Sequence, residues 1–195
     1  MSLFEYVMIP PAIVLGLAIT HLLTGLGRVV HRLAGHGAPI RMDAVHLTWV
    51  AHVFSWIVFF WWYSYAWTEQ FEWRLLVFMF LILYAVLMYL MCVILMPSDL
   101  DRVSDFGDTF MSLRRWFFAG FILLILLDYA DTAVKGLDNL LGLGMPYVSM
   151  RTFLMVGAIV GARTESRRFH GPFALVGFVW TFLFFWLNRP VIDGG

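Results

Sequence analysis

Five ionisable side chains lie inside long apolar stretches of this chain, where ionisable groups are rare. They are His21, His52, Asp128, Asp131 and Arg151. A charged group at the centre of a bilayer costs about 2.5–3.5 kcal/mol on insertion scales, so such groups usually pair with one another or line a functional path. Histidine exchanges protons near neutral pH and ligates metals, and intramembrane carboxylates form proton relays. These residue types therefore indicate proton or ion chemistry inside a membrane.

Asp128 and Arg151 are predicted to form an ion pair between two consecutive helices. Asp128 lies 13 residues after Arg115, and Arg151 lies 12 residues before Arg163. Since both outer arginines are expected at one membrane surface, the two inner residues lie at nearly equal depth. Asp131, three residues beyond Asp128, shares its helix face. Two interpretations stay open: a structural pair that fixes helix register, or a cation or proton site at the mouth of a pathway.

His21 and His52 lie at matched depth on the first two predicted helices. His21 shares a polar stripe with Thr24, and His52 belongs to an aromatic stripe that includes Trp56. We expect the two histidines to face each other, with Trp56 alongside. Such imidazoles could share a proton, bond a neighbouring side chain or ligate haem b, and the residue types do not choose among these. We expect no cofactor; haem b on His21 and His52, or quinone or pigment on the aromatic surface, are the alternatives.

The other polar and small residues of these helices have plainer interpretations. A small-residue face on the first helix should let another helix approach closely; it consists of Gly16, Thr20, Thr24 and Gly27. The remaining histidines are interpreted as interfacial or loop residues: His31, His36, His46 and His170. No metal site is predicted.

Six apolar stretches must position these residues. The predicted helices lie near 4–30, 44–67, 75–96, 116–134, 146–163 and 172–188. The third carries no charge and is long enough to cross a hydrocarbon core of about 30 Å at 1.5 Å per residue. Asp43 can cap the second helix, and Pro146 and Pro172 suit the first turns of the last two. The predicted fold is an all-α polytopic membrane protein, a bundle of six transmembrane helices in a single integral domain, 1–195.

One amphipathic segment, Pro97–Ser112, is expected on the cytoplasmic side between the third and fourth helices. It carries four acids, Asp99, Asp101, Asp105 and Asp108, beside several apolar residues. We expect a solvated interfacial helix. Its acids should meet three arginines of the preceding cytoplasmic loop, Arg28, Arg32 and Arg41.

The distribution of basic residues predicts the orientation. Nine of the 13 Lys and Arg residues fall in the connections after the first, third and fifth helices. The positive-inside rule therefore puts these connections in the cytoplasm and both termini outside. Hydrophobic residues make up 62% of the chain and the formal net charge is zero. There is accordingly no basic surface for nucleic acid.

The remaining classes of function are few. The sequence contains no Gly-x-Ser-x-Gly, phosphate loop, His-Glu-x-x-His or clustered Cys and His residues, so catalysis is not expected. Three classes stay open: a transporter or channel for a small solute, ion or proton; a non-catalytic accessory or scaffold subunit that contacts pigment, quinone or lipid; and a b-type haem electron-transfer protein. We favour the first. The expected partners are the lipid bilayer and either further copies of the chain or other membrane subunits.

Several short segments are similar to those of known sequences. They are Ser2–Val7, Gly16–Leu26, the tryptophan-rich second helix and Arg114–Phe118. Together they resemble an uncharacterised family of small bacterial six-helix inner-membrane proteins, over roughly the first 120 residues. The resemblance implies a bacterial inner membrane and brings no known activity with it.

Overall fold

Six long helices make up most of the protein. They are α1 (Leu3–Leu33), α2 (Ala44–Tyr63), α3 (Leu75–Leu95), α4 (Phe106–Val134), α5 (Gly144–Arg163) and α6 (Arg167–Leu187). The structure, a computed structural model, describes residues 2–69, 73–134 and 142–188, and assigns no strand to them. Each helix is long and apolar enough to cross a membrane. The prediction of an all-α, multi-pass helical bundle is confirmed at this level.

The segment before α4 differs from the prediction. Leu100–Arg102 forms one short 3-10 turn, and α4 begins at Phe106, ten residues before the predicted start. Asp105 explains the early start, because its carboxylate accepts the backbone N–H groups of Gly107 at 2.7 Å and Asp108 at 3.2 Å. The predicted single amphipathic helix over 97–112 is therefore wrong. Its second half is the first two turns of a membrane helix.

Among the described residues, α1 and α2 begin at side-chain caps, whereas α3, α5 and α6 begin without a side-chain cap hydrogen bond. The Asp43 carboxylate accepts the His46 N–H at 3.0 Å, which confirms it as the cap of α2. Pro146 lies in the first turn of α5, as predicted. In contrast, α6 begins at Arg167, so Pro172 lies in its second turn and not its first. Proline has no N–H, so the backbone carbonyl four residues earlier lacks its usual helical donor there.

The helices pack around α2 and α4. α1 packs mainly against α3 and only slightly against α2, while α2 also contacts α3, α4 and α6. α4 lies between α3 and α5. The interior between α2, α4 and α6 is filled by large rings that are essentially inaccessible: Trp49, Phe117, Phe118 and Phe121. Because α2 is central, its apolar side chains are buried over much of its circumference.

Close helix contacts occur at glycines other than those predicted. A Cβ on Gly16 or Gly27 would have no atom of the described residues within 4 Å, so the predicted small-residue face of α1 contacts no other helix that the structure describes. On α5, a Cβ on Gly157 would lie 2.1 Å from the Phe173 ring. The prediction for the α1 face is wrong within a single chain. Glycine instead lets α5 approach the aromatic rings of α6.

The connections α1–α2, α3–α4 and α5–α6 meet at one end of the bundle, called here the arginine-rich end. Arg41 exchanges backbone hydrogen bonds with Ser104 and Phe106, and its side chain lies 3.8 Å from Asp105. The predicted contact between the loop arginines and the acids is thus found for Arg41. Arg28 and Arg32 differ, because they donate to backbone carbonyls of the α3–α4 connection.

Candidate functional site

The Asp128–Arg151 ion pair is present. Arg151 Nη2 lies 2.7 Å from Asp128 Oδ2, joining α5 to α4. The approach is off the N–H direction, so this contact is a close ion pair and not an aligned hydrogen bond. The Arg151 side chain is fully buried and that of Asp128 is 14% exposed. The depth argument from sequence is confirmed.

Aromatic rings surround the Arg151 guanidinium. Its central carbon lies 4.4 Å from the Trp56 ring centroid and 5.3 Å from those of Tyr147 and Phe185. Nε and Nη1 make no hydrogen bond with the part of the chain that the structure describes. Burying these N–H groups without hydrogen bonds costs free energy. The negative faces of the rings offset part of that cost, since a desolvated cation–π contact contributes about 2 kcal/mol. The cation is therefore held by one carboxylate and three rings.

Two tyrosines also contact the Asp128 carboxylate. The Tyr147 hydroxyl donates to Oδ2 at 2.5 Å, on the oxygen that faces Arg151. The Tyr84 hydroxyl of α3 donates to Oδ1 at 3.4 Å and accepts the Trp56 indole N–H at 3.1 Å. A hydrogen-bonded network therefore links α2, α3, α4 and α5 at one level of the bundle.

Asp131 lies beside this network at the end opposite the arginine-rich end. It is 7% exposed, and its Oδ1 accepts the Trp67 indole N–H at 3.0 Å. A cavity of about 30 Å³ separates it from Asp128 and Tyr84. The rest of its wall is aromatic: Trp56, Phe59, Phe60, Tyr63 and Phe185. Such a volume has room for a water molecule, and the carboxylates and hydroxyls supply its polar partners.

His52 is fully buried within a stack of rings on α2. Its imidazole lies 5.3 Å from the Trp49 ring at 11° and 5.9 Å from the Trp56 ring at 25°. Phe121 of α4 meets it edge-on at 5.4 Å. Neither imidazole nitrogen has a hydrogen-bond partner among the described residues. Trp56 therefore contacts both this imidazole and the buried Arg151 guanidinium.

His21 does not face His52, so that prediction is wrong. Its Nε2 lies 2.7 Å from the Met96 carbonyl, and its ring packs near Tyr89 of α3. The reason is the packing of α1 on α3, whose last carbonyls are free to accept. One haem iron cannot bind both imidazoles in this arrangement, so these two residues do not fit a bis-histidine haem. Thr24 is exposed on the outer surface of α1 and is not part of the network.

Two histidines that we interpreted as interfacial are buried instead. His46 Nε2 lies 2.7 Å from the Leu95 carbonyl, and its ring stacks on Phe106. His170 Nε2 lies 3.1 Å from the Thr164 carbonyl. Both are buried because α4 and α6 begin earlier than predicted, which brings their first turns against α2 and against each other.

Sequence reasoning also missed Tyr84, Tyr147 and Trp67 as partners of the carboxylates. Tyr147 lies one turn before Arg151 on α5, a spacing that puts both on one helix face. Tyr84 places a hydroxyl group in the middle of the uncharged α3, where polar groups are few. The spacing of Tyr147 and the isolation of Tyr84 could therefore have indicated both as polar partners inside the bundle. Trp67 carried no such signal, since tryptophan near a helix end is typical of the membrane interface.

The fold and the site define a multi-pass membrane helical bundle with a buried charged network. Within residues 2–69, 73–134 and 142–188, no three His, Cys, Asp or Glu side chains cluster in a way that could hold a metal ion. Neither the family models, nor the curated proteins, nor the solved structures include a match to this chain. The resemblance to small bacterial inner-membrane proteins thus stays a prediction.

Proposed function

We propose that this protein is a proton-linked membrane transporter or channel whose proton-binding centre is the cavity between Asp128 and Asp131. One observation carries the proposal: two largely buried carboxylates line a water-sized cavity beside a fully buried arginine. Intramembrane carboxylates of this kind are typical of proton relays in pumps and transporters. We assign the protein to a bacterial inner membrane with periplasmic termini, as the charge distribution and the resemblance predict.

The size of the cavity favours a proton over a larger solute. A volume of about 30 Å³ fits water, whereas small-molecule sites usually enclose about 300–1,000 Å³. A proton can pass between a water molecule and a carboxylate without displacing the rings that enclose the cavity. A larger solute would require the rings of Trp56, Phe60 and Phe185 to move.

Protonation of Asp128 offers a physical means of coupling proton binding to the packing of α4 on α5. A neutral carboxyl group no longer balances the Arg151 charge, so the attraction that joins α4 to α5 would weaken. The guanidinium would then be held by the aromatic faces alone, with Trp56 at 4.4 Å.

Proton flux into liposomes tests the proposal. Purified protein is reconstituted with a pH-sensitive dye inside, and a potassium gradient with valinomycin drives protons inward. We expect flux above that of protein-free liposomes. The Asp131→Asn variant and the Asp128→Asn/Arg151→Gln double variant should reduce that flux at least tenfold. The double change removes the carboxylate and its partner together, which avoids an unpaired buried charge.

A matched control is Asp108→Asn, because this carboxylate is largely exposed at the arginine-rich end and pairs with Arg167. The control should conduct like the wild type. Wild-type flux equal to that of empty liposomes would contradict transport of protons by this chain alone. Unchanged flux in Asp131→Asn and in the double variant would show that the cavity is not the proton site.

A second candidate is a non-catalytic accessory subunit. It is favoured by an apolar groove of about 620 Å³ between α5 and α6, which includes Phe153, Val156 and Val176. Such a surface suits a partner helix or a lipid more than a transported ion. The liposome assay separates the two classes, because an accessory subunit reconstituted alone gives no flux.

A further inference from the structure

We propose that the groove between α4 and α5 at the arginine-rich end binds one anionic phospholipid. The groove measures about 400 Å³ and is lined by Arg115, Ala119, Ile122, Ile159, Ala162 and Arg163. It is separate from the charged network and independent of the proposed proton transport.

The two arginines of this groove have no hydrogen-bond or ion-pair partner in the part of the chain that the structure describes, unlike most of their neighbours. Six arginines at this end contact carboxylates or backbone carbonyls: Arg28, Arg32, Arg41, Arg102, Arg114 and Arg167. Arg115 and Arg163 are exposed, and neither has a hydrogen bond or ion pair with any residue that the structure describes. Two guanidinium groups are therefore free to bind an anion at the rim of an apolar groove.

Their placement matches the order of groups in a phospholipid. Arg163 is the last residue of α5, and Arg115 lies at the corresponding level of α4, next to Arg114, which pairs with Glu165. Ile159 lies one turn deeper than Arg163, and Ile122 lies two turns deeper than Arg115. A phosphate at the arginines would thus have apolar surface directly beneath it for an acyl chain.

Residue size and the aromatic neighbour support the same occupant. Ala119 and Ala162 have small side chains, which leaves the space of the groove open between the two helices. Trp116, beside Arg115, is 73% exposed, as expected of a tryptophan at the level of lipid head groups. Guanidinium groups bind phosphate through paired charge-assisted hydrogen bonds. Free phosphate would use the arginines but leave the apolar groove empty, so we commit to the lipid.

Native mass spectrometry of the detergent-solubilised protein tests the proposal, with phosphatidylglycerol as the probe and phosphatidylcholine as the neutral comparison. We expect one phosphatidylglycerol to bind in preference to phosphatidylcholine. The Arg115→Gln/Arg163→Gln variant should bind it about 30-fold more weakly, roughly fivefold for each arginine. The matched control, Arg41→Gln/Arg102→Gln, removes two positive charges from the same end without touching the groove, and should bind like the wild type.

A second variant protects the test from effects on folding. Ala119→Phe keeps both arginines but fills the groove, and should weaken phosphatidylglycerol binding at least fivefold while the melting temperature stays within a few degrees. Equal losses in the groove variant and in the arginine control would indicate general charge attraction and overturn the proposal. So would equal binding of phosphatidylcholine, retention of the lipid by both groove variants, or displacement of the lipid by millimolar inorganic phosphate.

Discussion

Arg151 on α5 and Asp128 on α4 meet at 2.7 Å in the interior of the bundle, and Tyr147 donates to the same carboxylate oxygen. A buried ion pair of this kind adds little net stability over an apolar pair of equal volume, because desolvation of two charges offsets their attraction. Removing only one of the two charged side chains is costly, because the other charge stays buried without its partner. The pair therefore specifies which faces of α4 and α5 meet more than it holds them together.

The first prediction concerns this asymmetry. Arg151→Ala should destabilise the protein by about 3–5 kcal/mol, because the Asp128 carboxylate stays buried without its cation. The Asp128→Asn/Arg151→Gln double variant should recover much of that loss. Reversible unfolding in mixed micelles, followed by tryptophan fluorescence, measures both. If the double variant loses as much free energy of unfolding as Asp128→Asn and Arg151→Gln lose when added together, the two side chains act independently.

The second prediction compares two buried histidines. His46→Phe should cost about 1–3 kcal/mol, since it leaves the Leu95 carbonyl without its donor. His52→Phe keeps a ring in the Trp49–Trp56 stack and removes two nitrogens that have no partner among the described residues. It should therefore cost at least about 1 kcal/mol less than His46→Phe. Equal losses in the same unfolding assay would mean that the His52 nitrogens are hydrogen-bonded in the membrane.

The third prediction concerns the approach of α5 to α6. Gly157→Ala should destabilise by about 1–3 kcal/mol, because its Cβ would fall 2.1 Å from the Phe173 ring, which must move. Gly16→Ala is the matched control in a helix interior. No atom of the described residues lies within 4 Å of its Cβ, and alanine should gain up to about 1 kcal/mol of helix propensity. Thermal melts of the two variants should shift in opposite directions, and a shift in the same direction would contradict this packing.

The fourth prediction concerns orientation. The native Cys92 is fully buried, so single cysteines can be introduced with little background labelling. Leu3→Cys, at the start of α1, should react with an impermeant maleimide in intact cells. His36→Cys, in the arginine-rich α1–α2 connection, should react only after the membrane is opened. The reverse pattern would place the termini in the cytoplasm and overturn the assignment from charge.

Depth along each helix could be predicted from the sequence. Counting residues from Arg115 and Arg163 placed Asp128 and Arg151 at one level because the rise per residue of a helix is fixed. The run of uncharged residues in α3 and the cap at Asp43 are equally local properties. The same counting put His21 and His52 well inside α1 and α2, but it said nothing about the direction in which their rings point.

Which helices become neighbours was decided only by the tertiary structure. α1 packs on α3, so His21 binds the Met96 carbonyl while His52 lies in the aromatic core of α2, α4 and α6. Neighbour choice and helix rotation depend on how all six apolar surfaces fit together, and a uniformly apolar helix such as α3 carries almost no periodic signal of its buried face. The sequence alone therefore determined the membrane setting and the level of the buried charges. Side-chain packing between distant segments decided that Tyr84, Trp56 and Trp67 surround those charges.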